Sequence, residues 1–297
     1  MSINGRQRRG RGRGRCHGIH IQLSDIAAVS QSIAAAGGAV TEAAGSLHRS
    51  VALVRAIARG GEGGAALADI VAWTGLPRPT VHRVLDMLIE TGWVERDQAS
   101  RRFFLGREIY ALGLVAAAHH PIERIAATEL AALVQDIEQT VYLSVRAGLD
   151  TVCAARQEST SRIQTLVLKV GSQVPLGRGA GSMAILAALP VAEAEAIIRA
   201  NLARYGQETE GFDEAAFRLA LTEARVAGFA SHDSLFTRGI AGIGVPVRDA
   251  TGYPVAAIST AFVADWLDDA QRRRCVARLN ETAERIGARL IALRSRP

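Results

Sequence analysis

The hydrophobic pattern of residues 67–92 predicts two short amphipathic helices joined by a tight turn. The turn is Gly75-Leu76-Pro77, and it separates a helix at 67–74 from a helix at 78–91. The apolar stripe of the second helix consists of Val81, Val84, Leu85 and Leu88. A helix that is packed on one side and polar on the other fits the major groove of DNA. This stretch therefore predicts a helix-turn-helix.

The polar face of the second helix carries the side chains expected to meet DNA, namely Arg78, Thr80, His82 and Arg83. Arginine bonds guanine edges or phosphates, and threonine and histidine reach base edges or the backbone. Asp86 is a weaker candidate, because an acid there either disfavours wrong sequences or is simply solvated. The alternative for the whole face is an ordinary solvated surface, but the neighbouring turn and hairpin favour DNA binding.

A short hairpin follows the second helix. Residues 93–96 and 101–105 have strand character, and Asp97-Gln98-Ala99-Ser100 forms the turn between them. Arg101 and Arg102 are placed to reach phosphates, contacts that position a protein on DNA without reading its sequence. With a first helix that begins near Ser46, residues 46–106 are predicted to form a winged helix-turn-helix domain.

Downstream, the pattern predicts a linker helix at 107–120 and a second domain at 121–297. Strand pairs and hairpins with helices between them predict an α+β domain built on an antiparallel sheet. The predicted strands are 140–148, 150–157, 162–171, 239–249 and 253–263. The predicted helices are 121–138, 179–189, 190–204, 213–227 and 268–293.

The charge of the chain is informative only for the first 45 residues. The net charge of the 297-residue chain is +6, and six arginines near the N-terminus account for all of it. These are Arg6, Arg8, Arg9, Arg11, Arg13 and Arg15. Residues 1–45 are therefore predicted to be a disordered Arg/Gly- and Ala-rich extension. An arm that contacts phosphates is the alternative to an extension without function, and we favour the latter.

The cysteines, Cys16, Cys153 and Cys275, are widely spaced and show no metal-ligand spacing. The adjacent pair His119-His120 diverges on a helix, so it is a poor metal site. We expect a reduced protein without metal or cofactor. The chain has no apolar run long enough for a membrane span and no secretory signal, which predicts a cytoplasmic location without membrane contact.

Three separated segments resemble, in the same order, the isocitrate lyase regulator (IclR) family of bacterial transcription factors. They are LPRPTVHRVLDMLIETGWVE, VGSQVPLGRGAGSMAILAAL and ARVAGFASHDSLFTRGIAGIGVPVRDATGYPVAAIST, and the resemblance covers about residues 46–294. It implies a GAF-like effector-binding domain, a homodimer or tetramer, and control of catabolic genes by a small molecule. Gly177 and Met183 stand where many members carry His and Lys, so the ligand stays open.

The Gly-rich loop before the helix at residue 180 is the first candidate effector site. Glycine lets backbone approach a ligand closely, and amides at a helix start can hold an anion, although a plain loop-to-helix turn is the alternative. The resemblance implies ligand contact here and in the C-terminal signature, with a small carboxylate as guest. The candidate residues are Ala180, Gly181, Ser182, Asp233, Ile240, Gly242 and Ser259. The hydroxyl of Ser259 is as compatible with a backbone hydrogen bond, and Met183 and Ile185 are expected to supply apolar surface beside Ile240.

Catalysis is not predicted. Gly181-Ser182-Met183 lacks the form of an esterase nucleophile elbow, and no activated nucleophile accompanies His232 and Asp233. We therefore predict a sequence-specific transcriptional regulator that binds double-stranded operator DNA and responds to a small organic acid. The alternatives are a GAF-type sensor or enzyme with a DNA-binding head, and a constitutive dimeric DNA-binding protein.

Overall fold

The computed structural model describes residues 45–160, 165–209 and 211–294. The prediction of a disordered extension at 1–45 therefore lies, apart from Gly45, outside the described residues. The N-terminal part is the predicted winged helix-turn-helix. Its elements are α1 (Ser46–Arg59), a 3-10 turn (Gly61–Gly63), α2 (Leu67–Thr74), α3 (Arg78–Glu90), β1 (Val94–Arg96) and β2 (Phe103–Leu105).

One hydrophobic core holds the three helices and the wing together. Leu53 of α1, Ile70 of α2 and Val81 of α3 are fully buried in it. Gly75 ends α2 in the left-handed conformation, with φ of 66°, which a residue without Cβ adopts at little cost. Because the chain can turn there within three residues, α3 lies against α1 and α2 with its other face outward.

The C-terminal part is an antiparallel sheet with helices on both faces. Its helices are α4 (Arg107–His119), α5 (Ile122–Ile137), α6 (Ala180–Ala188), α7 (Val191–Glu208), α8 (Glu214–Ala227) and α9 (Asp269–Arg294). Its strands are β3 (Val141–Ala147), β4 (Asp150–Gln157), β5 (Gln173–Pro175), β6 (Ala230–Asp233), β7 (Ile240–Arg248) and β8 (Pro254–Val263). In the described part of the chain, no helix is both long and apolar enough to span a bilayer.

The sheet has the order β5-β4-β3-β8-β7-β6, so strands from the two ends of the domain meet at its centre. Alternating residues of each strand face opposite sides. Helices α5 and α9 cover one face, where Ile243 and Ile258 belong to the core. The buried carboxylate of Glu129 on α5 also pairs with Arg285 and Arg289 of α9, each at 2.7 Å. Helices α6, α7 and α8 form the core on the other face.

The predicted strand at 162–171 is wrong over its described residues. Residues 165–170 are not in a strand, and Leu166 and Val170 are about half exposed. The segment is instead held by Tyr142, whose hydroxyl donates to the Thr165 carbonyl and accepts from the Val167 amide. The edge of β4 is completed by the short strand β5, which the sequence pattern did not indicate, and the opposite edge strand β6 was missed as well.

Helix α6 packs directly on the backbone of β7. A Cβ on Gly244 would lie 2.4 Å from the carbonyl oxygen of Ala180 and 2.7 Å from the amide nitrogen of Gly181. A Cβ on Gly181 would in turn lie 2.9 Å from the Oγ of Ser259 on β8. The absence of side chains at both glycines lets the start of α6 sit against the sheet without an intervening layer of side chains.

We expect Gly244→Ala to lower the free energy of unfolding by about 1–3 kcal/mol, because the new methyl group forces α6 away from the sheet. Gly206→Ala is the matched control, because a Cβ on this helical glycine of α7 meets no atom within 4 Å. The control is expected to gain about 0.5–1 kcal/mol from helix propensity. Urea unfolding of both variants measures the difference, and equal midpoints for the two would contradict the close contact.

Candidate functional site

The outer face of α3 brings together the residues predicted to contact DNA. Arg78, His82 and Arg83 are exposed and Thr80 is half-buried, whereas the apolar stripe of the helix is buried. Arg78 is the first residue of the helix, directly after Pro77, and Pro79 occupies the first turn, where its missing amide costs nothing. The helix therefore presents cationic and hydrogen-bonding side chains from a rigid backbone.

The two arginines of the wing differ in their environment. The Arg102 guanidinium donates to the carbonyl of Gly64 at 2.9 Å, which fixes the wing to the segment between α1 and α2. Arg101 is exposed and has the left-handed φ of 57°. The wing turn is closed by Asp97, which accepts hydrogen bonds from the amide and hydroxyl of Ser100, and these bonds lower the pKa of Asp97. Arg101 is thus the freer of the two to reach a phosphate.

A cavity of about 110 Å³ lies between the start of α6 and the sheet. Its wall includes the backbone of the first turn of α6. Other lining residues come from all six strands, β3 to β8, and from the segments before β5, before α6 and after β6. Among them are Tyr142, Ser144, Thr151, Val167, Leu168, Arg178, His232, Phe236, Ile240, Gly242, Ser259 and Ala261.

The structure brings six of the seven predicted effector residues to this cavity: Ala180, Gly181, Ser182, Ile240, Gly242 and Ser259. Asp233 is the exception, because its carboxylate bonds the Arg272 guanidinium at 2.9 and 3.0 Å and does not line the cavity. The reason is strand alternation: His232, its neighbour in β6, faces the cavity, so Asp233 faces away. Whether the six bind a ligand stays a prediction.

The apolar surface expected from α6 is corrected by the structure. Met183 and Ile185 are almost completely buried in the core and do not line the cavity, whereas Ile240 does. Only the first turn of α6 borders the cavity, and the following residues point into the core formed with α7 and α8. The apolar lining comes instead from the strands and from the two flanking segments.

The hydroxyl groups around the cavity divide into two kinds. The Ser182 hydroxyl is engaged in the protein: it accepts from the Gly177 amide at 2.8 Å and from Thr151 at 2.9 Å. The Thr260 hydroxyl donates to the Thr140 carbonyl. By contrast, Ser144 and Ser259, which lie beneath Gly181, have hydroxyls without a partner among the described residues. These two are available to a ligand.

The electrostatics at the start of α6 favour an anion. The first amides of a helix have no intrahelical acceptor, and no side chain caps those of α6. The aligned peptide dipoles add partial positive charge at this end of the helix. Arg178 is also among the residues that line the cavity, and its guanidinium is engaged in the protein, where Nε donates to the Thr209 hydroxyl at 3.3 Å.

His232 is a titratable group in the wall of the cavity. Both ring nitrogens are buried and have no hydrogen-bond partner within the described residues, and the ring meets Phe236 edge to face at 5.1 Å. Burial lowers the pKa of His232 to about 4, against a weak opposing effect of the Asp233 charge. The imidazole is therefore neutral at physiological pH.

Sequence reasoning missed the contributions of Tyr142, Ser144 and His232 to the lining. Residues 141–145 read Val-Tyr-Leu-Ser-Val, and their alternation already puts Tyr142 and Ser144 on one face of a strand. His232 lies in a strand that the pattern did not reveal, so its direction was not predictable. Across the described residues, no three His, Cys, Asp or Glu side chains are grouped so that they could hold a metal ion.

Comparison with known proteins agrees with both parts of the fold. The IclR helix-turn-helix domain model matches residues 46–98, and the model of the bacterial transcriptional regulator IclR C-terminal domain matches residues 115–288. The chain belongs to the IclR family. A curated relative, the glycerol operon regulatory protein of Streptomyces coelicolor, is 32% identical over 75% of this chain and 86% of its own length.

Solved structures of the IclR fold superpose over nearly their whole length. An IclR regulator from Silicibacter has a TM-score of 0.71 at 22% identity, covering 83% of this chain and 96% of that protein. An IclR homologue from Microbacterium hydrocarbonoxydans, solved with 4-hydroxybenzoate, has a TM-score of 0.61 at 22% identity, covering 83% and 99%. This IclR-family chain is thus a DNA-binding transcriptional regulator with an α+β fold.

Proposed function

We propose that this regulator changes its affinity for operator DNA when a small organic acid binds in the cavity at the start of α6. The observation that carries the proposal is the concentration of unsatisfied donors there. The uncapped first amides of α6 and the side chains of Ser144 and Ser259 border one cavity, which Arg178 also lines. Convergent polar groups in an otherwise apolar pocket are typical of ligand sites.

The size of the cavity limits the ligand. An engineered apolar cavity of about 150 Å³ binds benzene. A cavity of about 110 Å³ therefore suits a short-chain acid, or a compact aromatic acid with some adjustment of the lining. The Microbacterium homologue, which was solved with 4-hydroxybenzoate, supports an acid of this general kind. The carboxylate is expected at the start of α6, where the helix end favours negative charge.

On the DNA side, we propose that α3 enters the major groove of the operator. Arg78, Thr80, His82 and Arg83 contact base edges or phosphates, and Arg101 reaches a phosphate from the wing. Arg102 contributes chiefly by holding the wing in place through Gly64. A fixed wing and a rigid helix allow both elements to contact DNA at once.

A second copy of the chain is the proposed partner of α4. No residue of α4 is buried, and Tyr110, Leu112, Leu114 and Val115 are each at least half exposed. One winged helix covers few base pairs, and two half-sites are the usual source of operator affinity. Pairing through α4 buries this apolar surface and joins two winged helices in a homodimer. A tetramer is then a pair of such dimers.

Arg83→Ala is expected to weaken operator binding by about 1–3 kcal/mol without unfolding the protein, because the side chain is exposed on the face of α3 that meets DNA. Arg273→Ala, which removes an exposed arginine of α9, is the control for the loss of one positive charge. Gel-shift titration at fixed salt measures both. Equal affinities for the two variants would remove Arg83 from the interface.

Leu114→Glu is expected to convert the dimer into monomers at micromolar concentration, because it places a charge in the buried centre of the α4 pairing. Leu219→Glu is the control, because Leu219 on α8 is 61% exposed against 58% for Leu114. Light scattering of both variants gives the molecular mass. A Leu114→Glu protein that stays dimeric would place the subunit interface elsewhere.

The proposed effector site is tested with a larger side chain that occupies the cavity. Ala261 lines the cavity from β8, and Ala261→Leu is expected to lower the affinity for propionate and benzoate at least tenfold in calorimetry, because the added volume occludes the space. Ala215→Leu, on the exposed side of α8, is the control. Acid binding that survives in a folded Ala261→Leu protein would place the site elsewhere. Acid binding that leaves operator affinity unchanged would identify a constitutive DNA-binding protein.

A further inference from the structure

The cavity contains a polar side chain whose hydrogen-bonding capacity is entirely unused. A neutral imidazole has one donor and one acceptor, and neither nitrogen of His232 has a partner among the described residues. Buried polar groups in folded proteins are nearly always hydrogen-bonded, and the exceptions call for an explanation such as a ligand. Since His232 is one of the residues that line the cavity, a molecule bound there lies against this side chain.

The position of the His232 imidazole relative to α6 limits which ligand groups can meet it. The Nε2 atom lies 3.6 Å from the place that a Cβ on Gly242 would occupy, and the Cβ of Ala180 lies 3.0 Å from the same place. His232 and the first residue of α6 therefore face each other across the backbone of Gly242, where a side chain would be crowded. A carboxylate held at the start of α6 therefore brings the next carbon of the ligand, with its substituent, towards Nε2.

We propose that His232 selects acids that carry a hydroxyl group on the carbon next to the carboxylate. This inference rests on the proposed function, because it takes the carboxylate to be bound at α6. A hydroxyl group both donates and accepts, so it pairs with either tautomer of the ring. A neutral imidazole offers no charge to balance a second carboxylate, which favours monocarboxylic hydroxy acids.

Several of the other polar side chains near His232 are engaged elsewhere. The hydroxyl groups of Tyr142 and Ser182 are engaged in the protein, and Asp233 is paired with Arg272 away from the cavity. Ser144 and Ser259 lie beneath Gly181, on the side of the carboxylate. An acid without the hydroxyl group leaves the ring nitrogen buried and unpaired, and sites built around such a group discriminate strongly against analogues that lack it.

The test compares matched acids on the full chain by calorimetry. The pairs are lactate with propionate, 2-hydroxybutyrate with butyrate, and mandelate with phenylacetate. The wild type is expected to bind at least one hydroxy acid ten or more times more tightly than its partner. His232→Phe keeps a ring without hydrogen-bonding groups and is expected to bring that ratio close to one, with the affinity for the plain acid little changed. His232→Gln, which restores a donor and an acceptor, is expected to recover part of the preference.

Each result separates this inference from the proposed function. A wild-type ratio near one, or a ratio that persists in a folded His232→Phe protein, overturns the role of His232 while plain acids still bind in the cavity. If His232→Phe does not fold, His232→Leu, which also lacks hydrogen-bonding groups, replaces it: a ratio close to one supports the role of His232, and the wild-type ratio overturns it. If Ala261→Leu binds the hydroxy acids as tightly as the wild type does, the proposed site itself is wrong. The same conclusion follows if none of the six acids binds to the wild type.

Discussion

The contact between the backbone of α6 and the glycine face of β7 is the constraint on which the rest of the C-terminal domain depends. With no side chain at Gly244 or Gly181, the start of α6 lies directly on the sheet. The free amides of its first turn are therefore close to the side chains of the strands below. Side chains at these positions would lift α6 and separate the amides from Ser144 and Ser259. The cavity therefore depends on the close packing of α6 against the sheet.

The polar side chains around α6 fall into two groups: some form hydrogen bonds within the protein, and others form none in the described part of the chain. Ser182 binds Gly177 and Thr151, and Tyr142 holds the segment at 165–167, so both are committed to building the cavity. Ser144, Ser259 and His232 have no such commitments within the described residues. In a domain that satisfies nearly every other buried group, these remaining donors and acceptors mark the groups with which a ligand would bond.

The proposed regulation needs a link between this cavity and α3. A ligand shifts DNA affinity only if it binds two conformations of the protein unequally. The helix α4 is the covalent connection between the winged helix and the sheet domain, and it has no buried residue of its own. If α4 forms the subunit interface, ligand binding and operator binding would each favour a particular arrangement of this interface, which would couple the two sites.

Sequence patterns predicted the parts of the protein that local spacing controls. The amphipathic spacing of α1, α2 and α3, the turn at Gly75 and the hairpin of the wing are short-range features, and the structure confirms them. The strands β3, β4, β7 and β8 were also predicted, because apolar runs bounded by turn residues mark them in the sequence. Six of the seven residues expected around the cavity were identified from the resemblance of two segments to one family, and they do meet there.

Tertiary structure decided the rest. Residues 162–171 have strand-like composition, but a strand requires a neighbour for its ladder, and in the described part the edge of β4 is taken by β5. Asp233 and His232 are adjacent, and only the pairing of β6 with β7 determines that the histidine faces the cavity while the acid meets Arg272. The sequence by itself determined the elements and the family, because these follow from local periodicity and motif order. Which of two neighbouring side chains entered the site depended on how β6 pairs with β7 and packs in the domain, and the local sequence pattern did not reveal β6.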